Sequence, residues 1–155
     1  MPPLFTKSLA ERLDAICEIT VKEAEEGDSL VNGRALIAPG GFHMTLELAA
    51  DGFSKIIRLN HDPPELGVRP NVNKLFKSVV PIFKDNIIGV ILTGMGMDGT
   101  EGCREIKKFN GTVIAESERS SIIYGMPKSV VEAGLADEVI DIENMAVALV
   151  QLVDI

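Results

Sequence analysis

The feature that most constrains the fold is an unbroken apolar run at residues 87–92, IIGVIL. A strand buried on both faces has this composition, because neither of its faces meets water. A glycine-rich loop and a helical segment that closes at residues 110–111, Asn-Gly, follow this run. Two further strand–helix pairs are predicted, with strands at 112–115 and 138–140 and helices at 127–133 and 144–153. Strands that alternate with helices predict a doubly wound α/β fold with a mostly parallel sheet.

The first half of the chain adds an inserted β-hairpin to this pattern. Apolar and polar residues alternate over 44–48, Asp51-Gly52 is a turn signal, and residues 54–59 run back as the second strand. Near the N-terminus, apolar residues at helical spacing predict a helix over 5–17, with Ser8 and Glu11 as its capping box. The other predicted elements are short strands near 19–21 and 35–38, a proline-rich loop at 60–71 and a helix at 72–80 that Pro81 should end or kink.

Length and charge limit the domain organisation and the classes of partner. The 155 residues are predicted to form a single domain, 1–155, which is long enough to bury a core. A net charge of -8 argues against a nucleic-acid or anionic-membrane surface, because both require clustered lysine and arginine. No apolar run approaches the roughly 20 residues of a membrane span, so no membrane insertion is predicted.

Cysteine and histidine are too few and too scattered for a metal site. Cys17 and Cys103 lack the spacing of a metal-ligand or redox pair, which favours reduced, buried thiols in the cytoplasm. His43 and His61 are the only histidines. We therefore predict neither a metal nor a cofactor.

The glycine-rich loop at 93–100, TGMGMDGT, is the strongest candidate for a functional site. It follows the carboxyl end of a predicted strand, which is where open α/β sheets bind ligands. Its glycines allow the backbone to turn sharply and to approach a ligand closely. The next helix points its free N–H groups and positive dipole end at the same place, where developing negative charge would be stabilised.

One interpretation of this loop is a nucleotide-binding module. The spacing Gly94-x-Gly96-x-x-Gly99 matches the dinucleotide fingerprint between a strand and a helix. Glu116 ends the next predicted strand, about where an acid that binds ribose would be found. Three glycines alone are weak evidence, and an inactive interaction domain is a further alternative.

Two other interpretations concern the acid of the loop, Asp98. It can cap the following helix, with Glu101 as the second member of a capping box. Alternatively, it can be the carboxylate of a catalytic triad, which holds a histidine in one tautomer and stabilises its charged form. The residues alone leave both interpretations open.

Five sequence blocks resemble CheB-type protein-glutamate methylesterases of bacterial chemotaxis. The loop letters TGMGMDG at 93–99 are similar to the Thr-Gly-Met-Gly-x-Asp-Gly segment of that family. The other blocks, in family order, are MPPLFT at 1–6, IAPGGFHM at 37–44, RPNV at 69–72 and YGMP at 124–127. Five ordered blocks that cover essentially the whole chain are more specific than one glycine motif.

This resemblance implies hydrolysis of glutamyl methyl esters, and deamidation of glutamines, on the cytoplasmic helices of methyl-accepting chemoreceptors. It implies a Ser-His-Asp triad in which Asp98 is the carboxylate and Met95 lies beside the oxyanion. The substrate cleft or oxyanion loop that it implies consists of Gly94, Gly96, Tyr124, Gly125 and Met126. It further implies a cytoplasmic location, no cofactor, and a receiver domain as a partner in the full-length protein.

The chain departs from the family at the two other triad positions. The family nucleophile lies in a Ser-Thr-Gly-Gly loop, and none of the eight serines here lies in such a loop or in a Gly-x-Ser-x-Gly elbow. The family's base histidine directly precedes the Met-Pro-Pro block, and this sequence begins at that methionine. We therefore expect the first strand–helix–strand unit, with nucleophile and base, to be missing and the chain as given to be inactive. His43 is expected to have a structural role.

Overall fold

The computed structural model describes residues 2–153, which form two compact units. One unit ends at Ile82 and the other begins at Phe83. Each unit contains its own parallel strands and its own helices. No helix within the described residues is long and apolar enough to cross a membrane. The single domain expected for 1–155 stays a prediction.

The first unit begins with helix α1 (Pro3–Asp14), which starts and ends earlier than the predicted 5–17. Prolines occupy its N-cap and its first position, where the fixed φ and missing N–H of proline suit a helix start. Ser8 therefore lies in the interior of the helix, and the predicted capping box of Ser8 and Glu11 is wrong. The prolines determine where this helix begins.

Helix α1 packs on a pair of parallel strands, β1 (Thr20–Glu23) and β2 (Arg34–Ile37). The Asp14 carboxylate accepts the Val21 N–H at 2.8 Å, which joins the end of α1 to β1. Thr6, which is fully buried in α1, donates its hydroxyl to Glu23 and accepts the Gly40 N–H. Side-chain oxygens thus connect α1 to β1 and to the loop after β2.

The predicted hairpin is confirmed as antiparallel strands β3 (His43–Leu48) and β4 (Lys55–Asn60). Met44, Leu46 and Ile57 are buried on one face of the hairpin, and His43 at the start of β3 is buried as well. The Asp51 carboxylate closes the turn, because it accepts the N–H groups of the two residues at 53 and 54.

Hydrogen bonds order the proline-rich loop between β4 and helix α2 (Val72–Phe83). His43 is fully buried, and its Nε2 lies 3.1 Å from the Pro63 carbonyl oxygen. The Arg69 guanidinium donates to the carbonyls of residues 61 and 62. Helix α2 extends past Pro81 to its last residue, Phe83. The Ser78 hydroxyl of this helix accepts the Leu46 N–H at 3.0 Å and joins it to the hairpin.

The second unit alternates strand and helix three times, as predicted. Its elements are β5 (Ile88–Ile91), α3 (Thr100–Lys108), β6 (Thr112–Glu116), α4 (Met126–Glu132), β7 (Glu138–Ile140) and α5 (Ile142–Val153). The three strands form one parallel sheet in the order β5-β6-β7. The α/β fold with mostly parallel strands and an inserted hairpin is therefore confirmed. Its core includes the fully buried Ile106, Val113, Ile114 and Val130.

Asp137, just before β7, connects three elements of this unit. Its carboxylate accepts the buried Val113 N–H of β6 at 2.7 Å and receives the Lys107 ammonium of α3 at 2.6 and 2.7 Å. Burial opposes ionisation, but these donors hold the pKa of Asp137 below its ordinary value. A lowered folded-state pKa means that this stabilisation is present at neutral pH and is lost as the pH falls through that pKa.

We predict that Asp137→Ala lowers the free energy of unfolding by about 1 to 3 kcal/mol at pH 7, because the buried Val113 N–H loses its acceptor. Urea denaturation of the unmodified chain and of the variant measures the difference in their free energies of unfolding. This difference should become smaller below about pH 3.9, where an ordinary Asp titrates. Glu138→Ala is the matched control, since the side chain of this neighbouring acid accepts no hydrogen bond from the described residues, and it should change stability by less than about 0.5 kcal/mol. Equal losses in the two variants would contradict the prediction.

Candidate functional site

The glycine loop lies at the carboxyl end of the three-stranded sheet, as predicted. It follows β5, which ends at Ile91, and precedes α3, which begins at Thr100. The loop between β6 and α4 leaves the same edge of the sheet, because β5 and β6 are parallel neighbours. These two loops, at 92–99 and 117–125, form the candidate site.

Glycine is required at residue 125, because the two loop backbones approach each other closely there, whereas residue 94 faces the flexible Met126 side chain. A Cβ at Gly125 would lie 2.7 Å from the Gly94 carbonyl oxygen, and a Cβ at Gly94 would lie 2.5 Å from the Met126 sulfur. Gly96 and Gly99 have φ angles of 93° and 95°, a conformation that side chains rarely adopt. The glycines therefore serve the contact between the loops and the local turns.

Main-chain hydrogen bonds hold the two loops together. The Gly94 N–H donates to the Ile123 carbonyl at 3.0 Å. The Gly94 carbonyl accepts the N–H groups of Gly125 and Met126 at 3.2 and 2.8 Å. Gly94 also forms a parallel β-bridge with Tyr124. The structure therefore brings together the predicted cleft residues of the first loop and those of the second.

The two side chains predicted for catalysis differ sharply in exposure. Met95 is 83% exposed, so its side chain extends from the loop into solvent. Asp98 is only 9% exposed and lies just before the start of α3. A buried carboxylate next to an exposed loop can orient a partner that approaches from the solvent side.

The predicted capping box of Asp98 and Glu101 is wrong in its register. The N-cap of α3 is Gly99, whose positive φ places the helix start one residue later than the sequence pattern suggested. The second member of a capping box lies three residues after the N-cap, so a cap at residue 99 would pair with residue 102, and Glu101 is one position too early.

Glu116, the last residue of β6, is buried with only 2% of its surface exposed. One carboxylate oxygen accepts the Thr93 N–H at 2.7 Å, and the other accepts the Ser120 hydroxyl at 2.9 Å. Both oxygens are thus engaged inside the protein. This geometry does not support the interpretation of Glu116 as the acid that binds a ribose. The only sequence signal for its actual contacts is a carboxylate at the end of an apolar strand.

Asp141, just after β7, is a second acid that holds the loop between β6 and α4. The Arg119 guanidinium and the Ser117 hydroxyl donate to its carboxylate. These two donors hold the pKa of the Asp141 carboxyl below its ordinary value. The ends of β6 and β7 are therefore connected through side chains as well as through the sheet.

The remaining titratable candidates have other environments. His43 is buried against the Pro63 carbonyl, and the His61 ring packs at a tilt of 38° against Phe42 with ring centroids 4.1 Å apart. Burial raises the pKa of the Cys103 thiol to about 12, so this thiol is protonated at neutral pH. Cys17 is exposed, contrary to the prediction that both thiols are buried. Among the described residues, no three His, Cys, Asp or Glu side chains are close enough to hold a metal ion.

Known proteins resemble this chain over almost its whole length. The CheB methylesterase family model matches residues 1–149. A protein-glutamate methylesterase/protein-glutamine glutaminase of Symbiobacterium thermophilum is 46% identical over 99% of the chain. A relative of the same name in Oceanobacillus iheyensis is 54% identical over 88% of the chain. The chain spans only 41% and 39% of the lengths of these two curated relatives.

The fold agrees with that of a solved relative. The crystal structure of the Thermotoga maritima CheB methylesterase catalytic domain has a TM-score of 0.94 to this chain and 46% sequence identity. The match covers 99% of this chain and 80% of the solved one. These matches confirm the resemblance carried by the five sequence blocks. The chain belongs to the CheB methylesterase family.

Proposed function

We propose that this chain contributes to the hydrolysis of glutamyl methyl esters, and to the deamidation of glutamines, on chemoreceptors. The observation that carries the proposal is that the glycine loop contains a buried acid, Asp98, and an exposed methionine, Met95. Membership of the CheB methylesterase family supports it, since the curated relatives are named protein-glutamate methylesterase/protein-glutamine glutaminase. The net reaction of ester hydrolysis converts an ester and water into a carboxylate, a proton and methanol.

The proposed mechanism assigns two roles to the glycine loop. Asp98 orients a histidine and stabilises the imidazolium that forms when the histidine takes a proton from a serine. The loop backbone at Met95 lies beside the oxygen that becomes negative in the tetrahedral intermediate, where N–H donors lower the barrier. The positive end of the α3 dipole favours the same charge. The serine and the histidine are supplied from outside these 155 residues.

The proposed partners follow from the same assignment. The substrate is a glutamyl side chain on the cytoplasmic helices of a methyl-accepting chemoreceptor, and a receiver domain accompanies the catalytic part in the full-length protein. The proposed location is the cytoplasm. A net charge of -8 supports a protein partner over nucleic acid.

The 155-residue chain by itself should release no methanol above background from methylated receptor membranes. Loss of one triad member costs orders of magnitude in rate, and here both the nucleophile and the base are proposed to be absent. Methanol release is the assay, and a longer chain that carries both residues is the positive control. Turnover by the short chain close to that of the longer one would overturn the assignment and make His43 the first candidate for a base.

Asp98→Asn in that longer chain should reduce kcat by more than tenfold. The amide cannot stabilise a charged histidine and can select the wrong tautomer. The substitution keeps the size of the side chain, so the melting temperature should change little. Both quantities are measured on one preparation.

Glu101→Gln is the matched control, because it makes the same chemical change at an exposed position in the first turn of α3. It should leave kcat within about twofold of the unmodified protein. A loss of kcat below tenfold in Asp98→Asn, which corresponds to less than about 1.4 kcal/mol of barrier, would exclude Asp98 from the triad.

A further inference from the structure

The buried carboxylate of Glu116, at the end of the strand that precedes the second loop, has no role in the mechanism above. Glu116 is almost fully buried at the end of β6. A carboxylate in this environment is costly unless hydrogen-bond donors compensate for the lost water. The identity of its donors therefore shows which parts of the protein the carboxylate holds.

The donors come from both loops of the candidate site. Thr93, which donates its N–H, is the second residue after β5 and lies next to Gly94 in the glycine loop. Ser120, which donates its hydroxyl, belongs to the loop between β6 and α4. The Ser120 oxygen in turn accepts the N–H of Ile142, the first residue of α5. The carboxylate is thus connected to the segments that follow all three parallel strands.

Thr93, which donates to Glu116, also contacts the second loop directly. Its hydroxyl oxygen accepts the Ile123 N–H at 2.8 Å and lies 3.2 Å from the Ile123 carbonyl. That carbonyl also accepts the N–H of Gly94, the residue just before Met95. The position of Met95 therefore depends on Thr93, two residues before it, whose N–H donates to Glu116.

We propose that Glu116 is a positioning residue for the candidate active site. It fixes the glycine loop and the loop after β6 relative to each other by accepting one hydrogen bond from each. This inference rests on the proposed function for its catalytic consequence, but not for its structural part. The position requires one hydrogen bond to each loop and does not require a charge, so Gln should replace Glu: its oxygen can accept the Thr93 N–H and its amide can donate to the Ser120 oxygen.

The first experiment uses the 155-residue chain and compares Glu116→Leu with Glu116→Gln. Leu has a similar volume and cannot accept a hydrogen bond. Amide hydrogen exchange and the methyl NMR signal of Met95 are measured. In the Leu variant, Thr93 should exchange at least about tenfold faster and the Met95 signal should shift, because the anchoring acceptor is lost. The Gln variant should remain within about threefold of the unmodified chain.

Two outcomes of this experiment would overturn the proposal. One is unchanged exchange at Thr93 in the Leu variant. The other is an equal acceleration across the buried amides of β6, such as Val113 and Ile114, which would indicate a general loss of stability. If the Leu variant does not fold, Ser120→Ala takes its place, since it removes the donor on the other oxygen. Exchange at Thr93 should then rise at least about threefold, and no change would overturn the proposal.

The second experiment measures ester hydrolysis in the longer chain that carries nucleophile and base. Glu116→Leu should lower kcat at least about tenfold with KM within about twofold, because a displaced catalytic loop affects the chemical step more than binding. Glu116→Gln should restore kcat to within about threefold. Full kcat in the Leu variant would overturn the catalytic consequence. Absence of hydrolysis by the unmodified longer chain would overturn the proposed function instead, and the exchange experiment would still decide the structural role.

Discussion

The candidate site depends on one close backbone contact, that between Gly94 and Gly125. The Gly94 carbonyl accepts two N–H groups from the second loop, and no side chain at Gly125 could be accommodated at this distance. Hydrogen bonds of this kind are short-range and directional, so they fix the relative position of the two loops more strictly than apolar packing could. The parallel pairing of β5 and β6 brings the loops to the same edge, and the glycines then allow them to join.

In the second unit, acidic side chains also hold strands and loops in place by accepting hydrogen bonds. Asp137 accepts the N–H of Val113 near the start of β6, and Glu116 accepts the N–H of Thr93 at the other end. Asp141 receives two donors from the loop that follows β6. Part of the excess of acids in the composition is therefore used at the ends of the parallel sheet, where carboxylates accept hydrogen bonds from the main chain and from neighbouring side chains.

Periodicity in the sequence was sufficient for the strands and helices but not for their side-chain contacts. The apolar run before the glycine loop predicted β5, and the alternation before Asp51 together with the turn signal predicted the hairpin, because burial of a strand face determines those patterns. The start of α1 was misplaced because prolines outweigh a capping pattern. The cap at Asp98 was misplaced because the backbone of Gly99 has a positive φ, which no spacing rule reveals. The contacts of Glu116 join residues 23 positions apart and arise only from the tertiary fold.

The members of a proposed Ser-His-Asp site make different demands on a fold, and this chain meets one part of them. An orienting carboxylate needs burial and a fixed backbone, which Asp98 has at the start of α3. Stabilisation of an oxyanion needs preorganised donors, and the glycine loop is held by main-chain hydrogen bonds and by the Thr93 N–H bond to Glu116. A nucleophile and a base instead need exposure to substrate and a matched pKa. The described residues thus include a buried acid and two joined loops, which are the features that the proposed site requires.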